Sequence, residues 1–410
     1  MEVGMKDSGR DAVIVSAVRL PIGRAKKGSF AKTRPDDLFA TAIKAALKRL
    51  PKFDYKQIED VLCGSAFPEA EEGMNVARVA SIIAGLPIEV PGTTINRFCG
   101  SAMTALHKAT YEIMGGAGDI FIVGGTESMT MIPMTSNKPS PNIKFVQDGS
   151  ALPNVYISMG ETAENVIDRY DKKYDLSRVK LDTFSYNSHK KAVAAQETGR
   201  FKDEIAPVVV NKSTGDIELY DGGKIAEGWM LVDKDDCPRA DTTVEALGKL
   251  KPVFRAKGRV TAGNSSPTND GASVMVLMAS SKAKELGIKP LAKIRATAVR
   301  ALEPEVMGLG PIYSTQRVLE RAKMTVKDIQ LFEINEAFAS QSIVSIEELG
   351  INPDIVNVNG GAIALGHPLG ISGVRILTTL LYEMTKRNLN TGLGTMCIGG
   401  GQGIATIIER

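Results

Sequence analysis

Lys56-Gln57-Ile58-Glu59-Asp60-Val61-Leu62 returns about 270 residues later as Lys327-Asp328-Ile329-Gln330-Leu331-Phe332, each after a helical stretch carrying alanines and basic residues. Two more pairs keep that offset and order. Thr93-Thr94-Ile95-Asn96 resembles Ile355-Val356-Asn357-Val358-Asn359, and Ile122-Val123-Gly124-Gly125 resembles Cys397-Ile398-Gly399-Gly400. Chance could match one pair of short apolar strands, but three in order argue for a duplicated α/β half.

Outward from these segments, the grammar alternates strand and helix. Ala12 to Val18 reads as a first strand, ended by Pro21 and Gly23. Asp36 and Asp37 open an amphipathic helix through Leu38, Ile43, Leu47 and Leu50, stopped at Pro51. A strand at Thr93-Thr94-Ile95 leads to Cys99-Gly100-Ser101, and a helix bearing Ala102, Ala105, Leu106, Ala109 and Ile113 follows. Ile120 to Val123 is a buried strand closed by Gly124-Gly125, and residues 355–359 read as the second half's counterpart of the strand before Cys99. The expected division is residues 1–125 as a first half, completed by about 251–280, with 126–250 inserted and 281–410 as the second half. The insertion carries prolines 133, 139, 141 and 153 and a polar helical stretch from Glu161 to Thr198.

Composition narrows the function. In 410 residues the net charge is +3, too balanced to imply nucleic acid, though local lysines could serve an anionic cofactor. Four cysteines without a CxxC or a cysteine–histidine cluster argue against a disulfide framework or a zinc site, and no metal is called for. Met1 to Asp11 lacks an apolar signal core, and no apolar run approaches the roughly 20 residues of a membrane span. A reducing, cytoplasmic setting is expected.

Chemistry concentrates on few residues. Cys99 follows a strand and precedes a helix, whose N-terminus favours a thiolate; the bland alternative is a buried cysteine acting as a small hydrophobe. Cys397 precedes Ile398-Gly399-Gly400-Gly401-Gln402-Gly403, which a strand follows rather than a helix, so a dinucleotide loop is a poor reading. N–H groups in that turn can instead stabilise an oxyanion. His367 lies in the nearly uncharged loop Asn359 to Gly370. His107, His189, Cys63 and Cys237 read as packed or solvated residues. Asn335 could hold a water or a substrate oxygen, and Glu336 could equally complement a helix dipole. Two thiols and an imidazole on separate turns suggest thiol-based acyl chemistry.

Together these segments resemble the thiolase family nearly end to end. The likeness rests on Asn96-Arg97-Phe98-Cys99-Gly100-Ser101, Met159-Gly160-Glu161-Thr162-Ala163-Glu164-Asn165 and Thr261-Ala262-Gly263-Asn264-Ser265-Ser266. Asn335-Glu336-Ala337-Phe338-Ala339, the loop to His367, and Cys397-Ile398-Gly399-Gly400-Gly401 complete it. The resemblance implies two βαβαβαββ halves packed as five layers with an inserted loop domain.

It also implies reversible acyl transfer to coenzyme A as co-substrate, with no tightly bound cofactor. Cys99 would be the nucleophile, His367 its base and Cys397 the second acid/base. One oxyanion site would use His367 and a water on Asn335, the other the N–H groups of Cys99 and Gly399. CoA contacts carried over are Arg239, Ala262, Ser266, Met159, Ala337 and Phe338. Ser158 stands where a histidine is common and Ala246 where a serine is usual, departures from the biosynthetic acetoacetyl-CoA type. Gly23 to Ser29, Thr33 to Leu38 and Asn137 to Asn142 look like degradative 3-ketoacyl-CoA thiolases of β-oxidation. Implied partners are CoA and acyl-CoA thioesters, a second copy or three of the chain (homodimer or homotetramer), and a β-oxidation hydratase/dehydrogenase subunit. The rivals are an acetyl-CoA C-acetyltransferase making acetoacetyl-CoA and, more remotely, a non-catalytic thiolase-like lipid-binding protein.

Overall fold

Two runs of apolar strands that cannot each bury both faces alone dictate the architecture. The computed structural model describes residues 9–147 and 150–410; most of the stretch read above for a leader, Met1 to Asp11, lies outside them. The first half contributes β1 (Ala12–Arg19), the short β2 (Gly23–Arg24), α1 (Pro35–Lys48) and β3 (Asp60–Gly64). It continues with α2 (Val76–Ile83), β4 (Gly92–Ile95), α3 (Ser101–Gly115) and β5 (Ile120–Ser128). Next come α4 (Ile143–Val146), α5 (Met159–Tyr174), α6 (Arg178–Glu197), β6 (Val208–Asn211), β7 (Ile217–Leu219), β8 (Trp229–Val232) and α7 (Val244–Gly248). β9 (Asn269–Ala279) and α8 (Ser280–Glu285) return the chain to the main sheet. The second half holds β10 (Ala292–Ala301), α9 (Gly310–Ala322), β11 (Leu331–Ile334) and α10 (Ala339–Leu349). It ends with α11 (Ala362–Leu365), α12 (Ser372–Arg387), β12 (Thr391–Ile398) and β13 (Gln402–Glu409).

The main sheet runs β11-β12-β13-β10-β1-β9-β5-β3-β4. Outward from the central antiparallel β1–β10 pair, each half has the same order, β1-β9-β5-β3 on one side and β10-β13-β12-β11 on the other. The duplication read from the sequence is therefore a duplication of topology. Helices α3 and α12 pack between the halves, burying Ala102, Leu106, Val374, Leu377 and Leu380 against apolar residues of both. Leu38, Phe39 and Ile43 of α1 and Val76 and Ala80 of α2 cover the outer face of the first half. Val318 and Leu319 of α9 and Ile346 of α10 cover that of the second. Helix, half-sheet, helix, half-sheet, helix makes five layers, so strands buried on both faces read as continuous apolar runs.

Two local readings need correction. β5 does not close at Gly124-Gly125 but runs on to Ser128. A Cβ on Gly124 would come within 2.1 Å of Ser273 O, so glycine there serves close strand approach rather than a turn. Residues 355–359 form no strand; a single parallel bridge joins Val356 to Phe332. Asn357 has a φ of 43°, and its side chain takes over the pairing, accepting from Ile334 N–H and donating to Ile334 O. The polar stretch from Glu161 to Thr198 is helical as read, in two helices separated where Asp175 adopts a φ of 48°. Among the described residues no helix is long and apolar enough to cross a membrane.

Candidate active site

Cys99 sits in a single 3-10 turn, Phe98–Gly100, between β4 and α3. Phe98 is held at a φ of 44°, an unusual conformation for a non-glycine residue, with Asn96 Oδ1 accepting its N–H at 2.8 Å. Ser101 Oγ accepts from Arg97 N–H at 2.9 Å and donates to Phe98 O at 2.6 Å, locking the turn. Gly100 packs closely, since a Cβ there would meet Ile398 Cδ1 at 2.5 Å and the Ile398 side chain would have to shift.

Burial pushes the Cys99 thiol up to about 11; the N–H groups of Gly399 and of Cys99 itself pull the other way, and the Glu127 charge adds to the rise. The helix N-terminus was expected to favour the thiolate. Desolvation outweighs it, and the resting group is a thiol. Cys397, at the end of β12, is fully buried, and its thiol is raised by burial first and by the adjacent Cys99 second. The Cys99 sulfur therefore bears on Cys397 from about three hundred residues away in sequence, and Gly399 N–H reaches Cys99.

His367 lies between α11 and α12 with its backbone N–H on Asn269 Oδ1 at 2.9 Å. Its Nδ1 is 2.6 Å from Ser372 Oγ and its Nε2 3.3 Å from Asn335 Nδ2. Burial, and then the Arg375 charge, lower the imidazole pKa to about 3, so the ring is neutral. Asn335 follows β11, its N–H bonded to Thr395 O at 3.0 Å on the strand that carries Cys397. Gln341 Nε2 donates to Asn335 O, and Asn335 Oδ1 is a buried acceptor with no protein partner among the described residues.

An apolar cavity of about 620 Å³ opens above Cys99. Its lining includes Phe67, Phe98, Met134, Tyr156, Met159 and Leu369, with Gly399 and Gly400 beside the sulfur. The carried-over CoA contacts do not all fall together. Ser266 N–H donates to Ala337 O at 2.9 Å and Ser265 bridges to Phe338, so the loop holding Ala262 and Ser266 docks on the segment entering α10. Met159, Ala337 and Phe338 share an apolar cluster with Cys397. Arg239 stands on the exposed loop between β8 and α7, paired with Asp241, its own N–H on His189 Nδ1.

The remaining candidates are structural. Cys63 is buried in β3, and Cys237 is buried as an acceptor for Asn269 Nδ2 at 3.2 Å. Glu336 is buried on Ser188 Oγ, Asn357 Nδ2 and Ile363 N–H. Ser372, Asn269 and Gln341 were not anticipated; no spacing rule links a serine to the histidine it orients, and only the tertiary contact reveals it.

A family model of the thiolase N-terminal domain matches residues 12–281, and one of the thiolase C-terminal domain matches residues 288–410. The chain is 47% identical over 400 residues to a 3-ketoacyl-CoA thiolase of Bacillus subtilis (strain 168), covering 98% of this chain and 99% of that one. It is 44% identical to a 3-ketoacyl-CoA thiolase of Marinomonas sp. (strain MWYL1), covering 99% and 100%. The solved structure of the Bacillus anthracis acetyl-CoA acetyltransferase superposes with a TM-score of 0.85 at 36% identity, covering 98% of this chain and 100% of that one. With two family domains end to end, a superposable fold and full-length relatives, this chain belongs to the thiolase family.

Proposed function

We propose that the protein cleaves 3-oxoacyl-CoA with CoA, giving acetyl-CoA and an acyl-CoA shortened by two carbons. The observation that carries this reading is the Cys99 thiol at the base of an apolar cavity of about 620 Å³, with the buried Cys397 thiol close beside it. That volume and lining suit an acyl chain longer than an acetoacetyl group.

In the forward direction His367 Nε2 takes the Cys99 proton as the sulfur attacks the 3-oxo carbon. The C2–C3 bond breaks, its electron pair leaves as the acetyl-CoA enolate, and Cys397 protonates C2. The Cys397 thiolate then takes the proton of an incoming CoA thiol, which attacks acyl-Cys99. Cys99 leaves as thiolate and recovers its proton from His367. The exchange between CoA and Cys397 passes the proton from thiol to thiolate, like to like. The free Oδ1 of Asn335 suits a water that, with His367, faces the enolate oxygen, while Gly399 and Cys99 N–H groups face the thioester oxygen. Met159, Ala337, Phe338, Ala262 and Ser266 would receive the pantetheine arm, and Arg239 the phosphate end.

In this reading residues 126–250 cover the site as an insertion, while 1–125 with 251–280 and 281–410 form the two halves. β4 is a sheet edge, and Met74 (93% exposed), Ile83 and Ile88 lie near it, which supports a homo-oligomer formed there. Four free thiols suit the reducing cytoplasm, and β-oxidation is the pathway that fits the substrate. A chain-length series tests the proposal: thiolysis of C8 and longer 3-oxoacyl-CoA is expected to match or exceed that of C4. Activity confined to C4 would instead establish the acetoacetyl-CoA enzyme.

A further inference from the structure

β5 ends in Gly124-Gly125-Thr126-Glu127-Ser128, and the Glu127 carboxylate, 1% exposed, has no part in the steps above. Its Oε2 accepts from Ala66 N–H at 2.9 Å and from Gly370 N–H at 2.6 Å, and Phe67 N–H bonds the same carboxylate. These donors belong to two different loops. Residues 65–67 leave β3 and pass beneath the start of α3, where Ser101 Oγ reaches Ser65 O at 3.3 Å. Residues 368–371 lead from His367 into α12. Phe67 and Leu369 line the cavity over Cys99 from these two loops. The junction leaves no slack: a Cβ on Gly370 would lie 2.5 Å from Glu127 Oε2, and one on Gly125 would lie 2.4 Å from Gly370 O.

A second buried carboxyl stands beside it. Glu72 Oε1 accepts from Ser128 N–H at 2.6 Å, and its Oε2 is joined to Ser65 Oγ. Burial raises both carboxyls; the Glu127 charge raises Glu72 further, and Asp270 adds to the rise of each. Two such neighbours do not both ionise. Every partner of Glu127 named above is an N–H donor, which demands an acceptor. The partner of Glu72 Oε2 is a hydroxyl, which can turn and accept. Donor counting thus gives the proton to Glu72 and the charge to Glu127.

We propose that Glu127 is a positioning residue: its ionised carboxylate ties the His367 loop and the 65–67 loop to the end of β5 on either side of Cys99, while Glu72 keeps the pair's proton. The proposal rests on reading Cys99 and His367 as nucleophile and base. A misplacement of reacting groups by about 1 Å can cost about a hundredfold in rate.

Glu127→Gln and Glu72→Gln in the full chain test it, with thiolysis kinetics and the pH profile of Cys99 alkylation by iodoacetamide as readouts. Cys99 is faced by Cys397 from β12, by Gly399 N–H and by the charge of Glu127 from β5. E72Q reproduces a protonated acid and is expected to keep kcat within about threefold. E127Q turns an acceptor into a donor facing N–H groups; kcat is expected to fall at least about tenfold with KM for CoA nearly unchanged. Its alkylation profile is expected to move to lower pH, because the neighbouring negative charge is gone. Should E127Q fail to fold, Glu127→Asp keeps the charge but withdraws it, and is expected to lower kcat with the profile in place. An unchanged kcat in E127Q, equal damage in E72Q, or an unmoved E127Q profile would overturn the assignment. Failure of the underlying reading would appear in the wild type, as a missing acyl adduct on Cys99.

Discussion

Ser372 Oγ donates to Pro368 O at 2.8 Å, so toward His367 Nδ1, 2.6 Å away, it acts as acceptor. Nδ1 therefore carries the ring proton, and the Nε2 lone pair faces Asn335 Nδ2. One hydroxyl thus selects the tautomer that leaves His367 Nε2 free to accept a proton. Ser372→Ala leaves Nδ1 without its acceptor and lets both tautomers compete. We expect kcat for thiolysis to fall about tenfold with KM little changed; steady-state kinetics near neutral pH check this, and a wild-type kcat would refute the tautomer argument.

Cys99→Ala is expected to abolish the reaction in both directions. Cys397→Ala, lacking the second proton carrier, should still acylate Cys99 slowly, visible as a mass increase on the intact protein. Equal loss of the adduct in both variants would contradict the assigned division of labour.

His107 is buried on α3 with Nε2 2.8 Å from Thr406 Oγ1, and burial lowers its pKa to about 3. An unfolded histidine titrates near 6.5, so below that pH the unfolded chain binds the extra proton. The stabilisation from His107 is complete above about pH 6.5 and is lost as pH falls toward 3. At about pH 5 the loss is about 2 kcal/mol relative to about pH 7.5. Urea unfolding at both pH values should show wild type losing about that much more than His107→Gln; parallel losses would show that the histidine does not remain neutral.

Gly403 pairs with Cys397 in the β12–β13 ladder, and a Cβ there would meet Gly310 O at 2.0 Å. Backbone cannot yield as a side chain would, so Gly403→Ala should destabilise by about 3 kcal/mol or more. Gly248→Ala, with nothing within 4 Å of its Cβ, serves as control. Comparable denaturation midpoints for the two variants would rule out the steric account.

Much of this molecule was legible because its signals are local. The apolar strands around Val61, Ile122, Phe332 and Met396 each declare their burial by composition, and their common offset declares the duplication. Glycine was harder to interpret, since a turn and a close strand contact use the same residue. Gly124 proved to be the second kind. Asn357 shows a related failure, where an amide side chain replaced the strand hydrogen bonds that the apolar run suggested.

Sequence by itself determined the family, the repeated topology, and which thiols and imidazole could matter, because those follow from residue type, order and spacing. Tertiary structure alone decided the state of those groups. Proximity of Cys99 to Cys397, the Ser372 contact that sets the tautomer, and the burial that keeps Cys99 a thiol all depend on segments far apart in the chain. Desolvation is a property of the packed surroundings, and no stretch of sequence carries it.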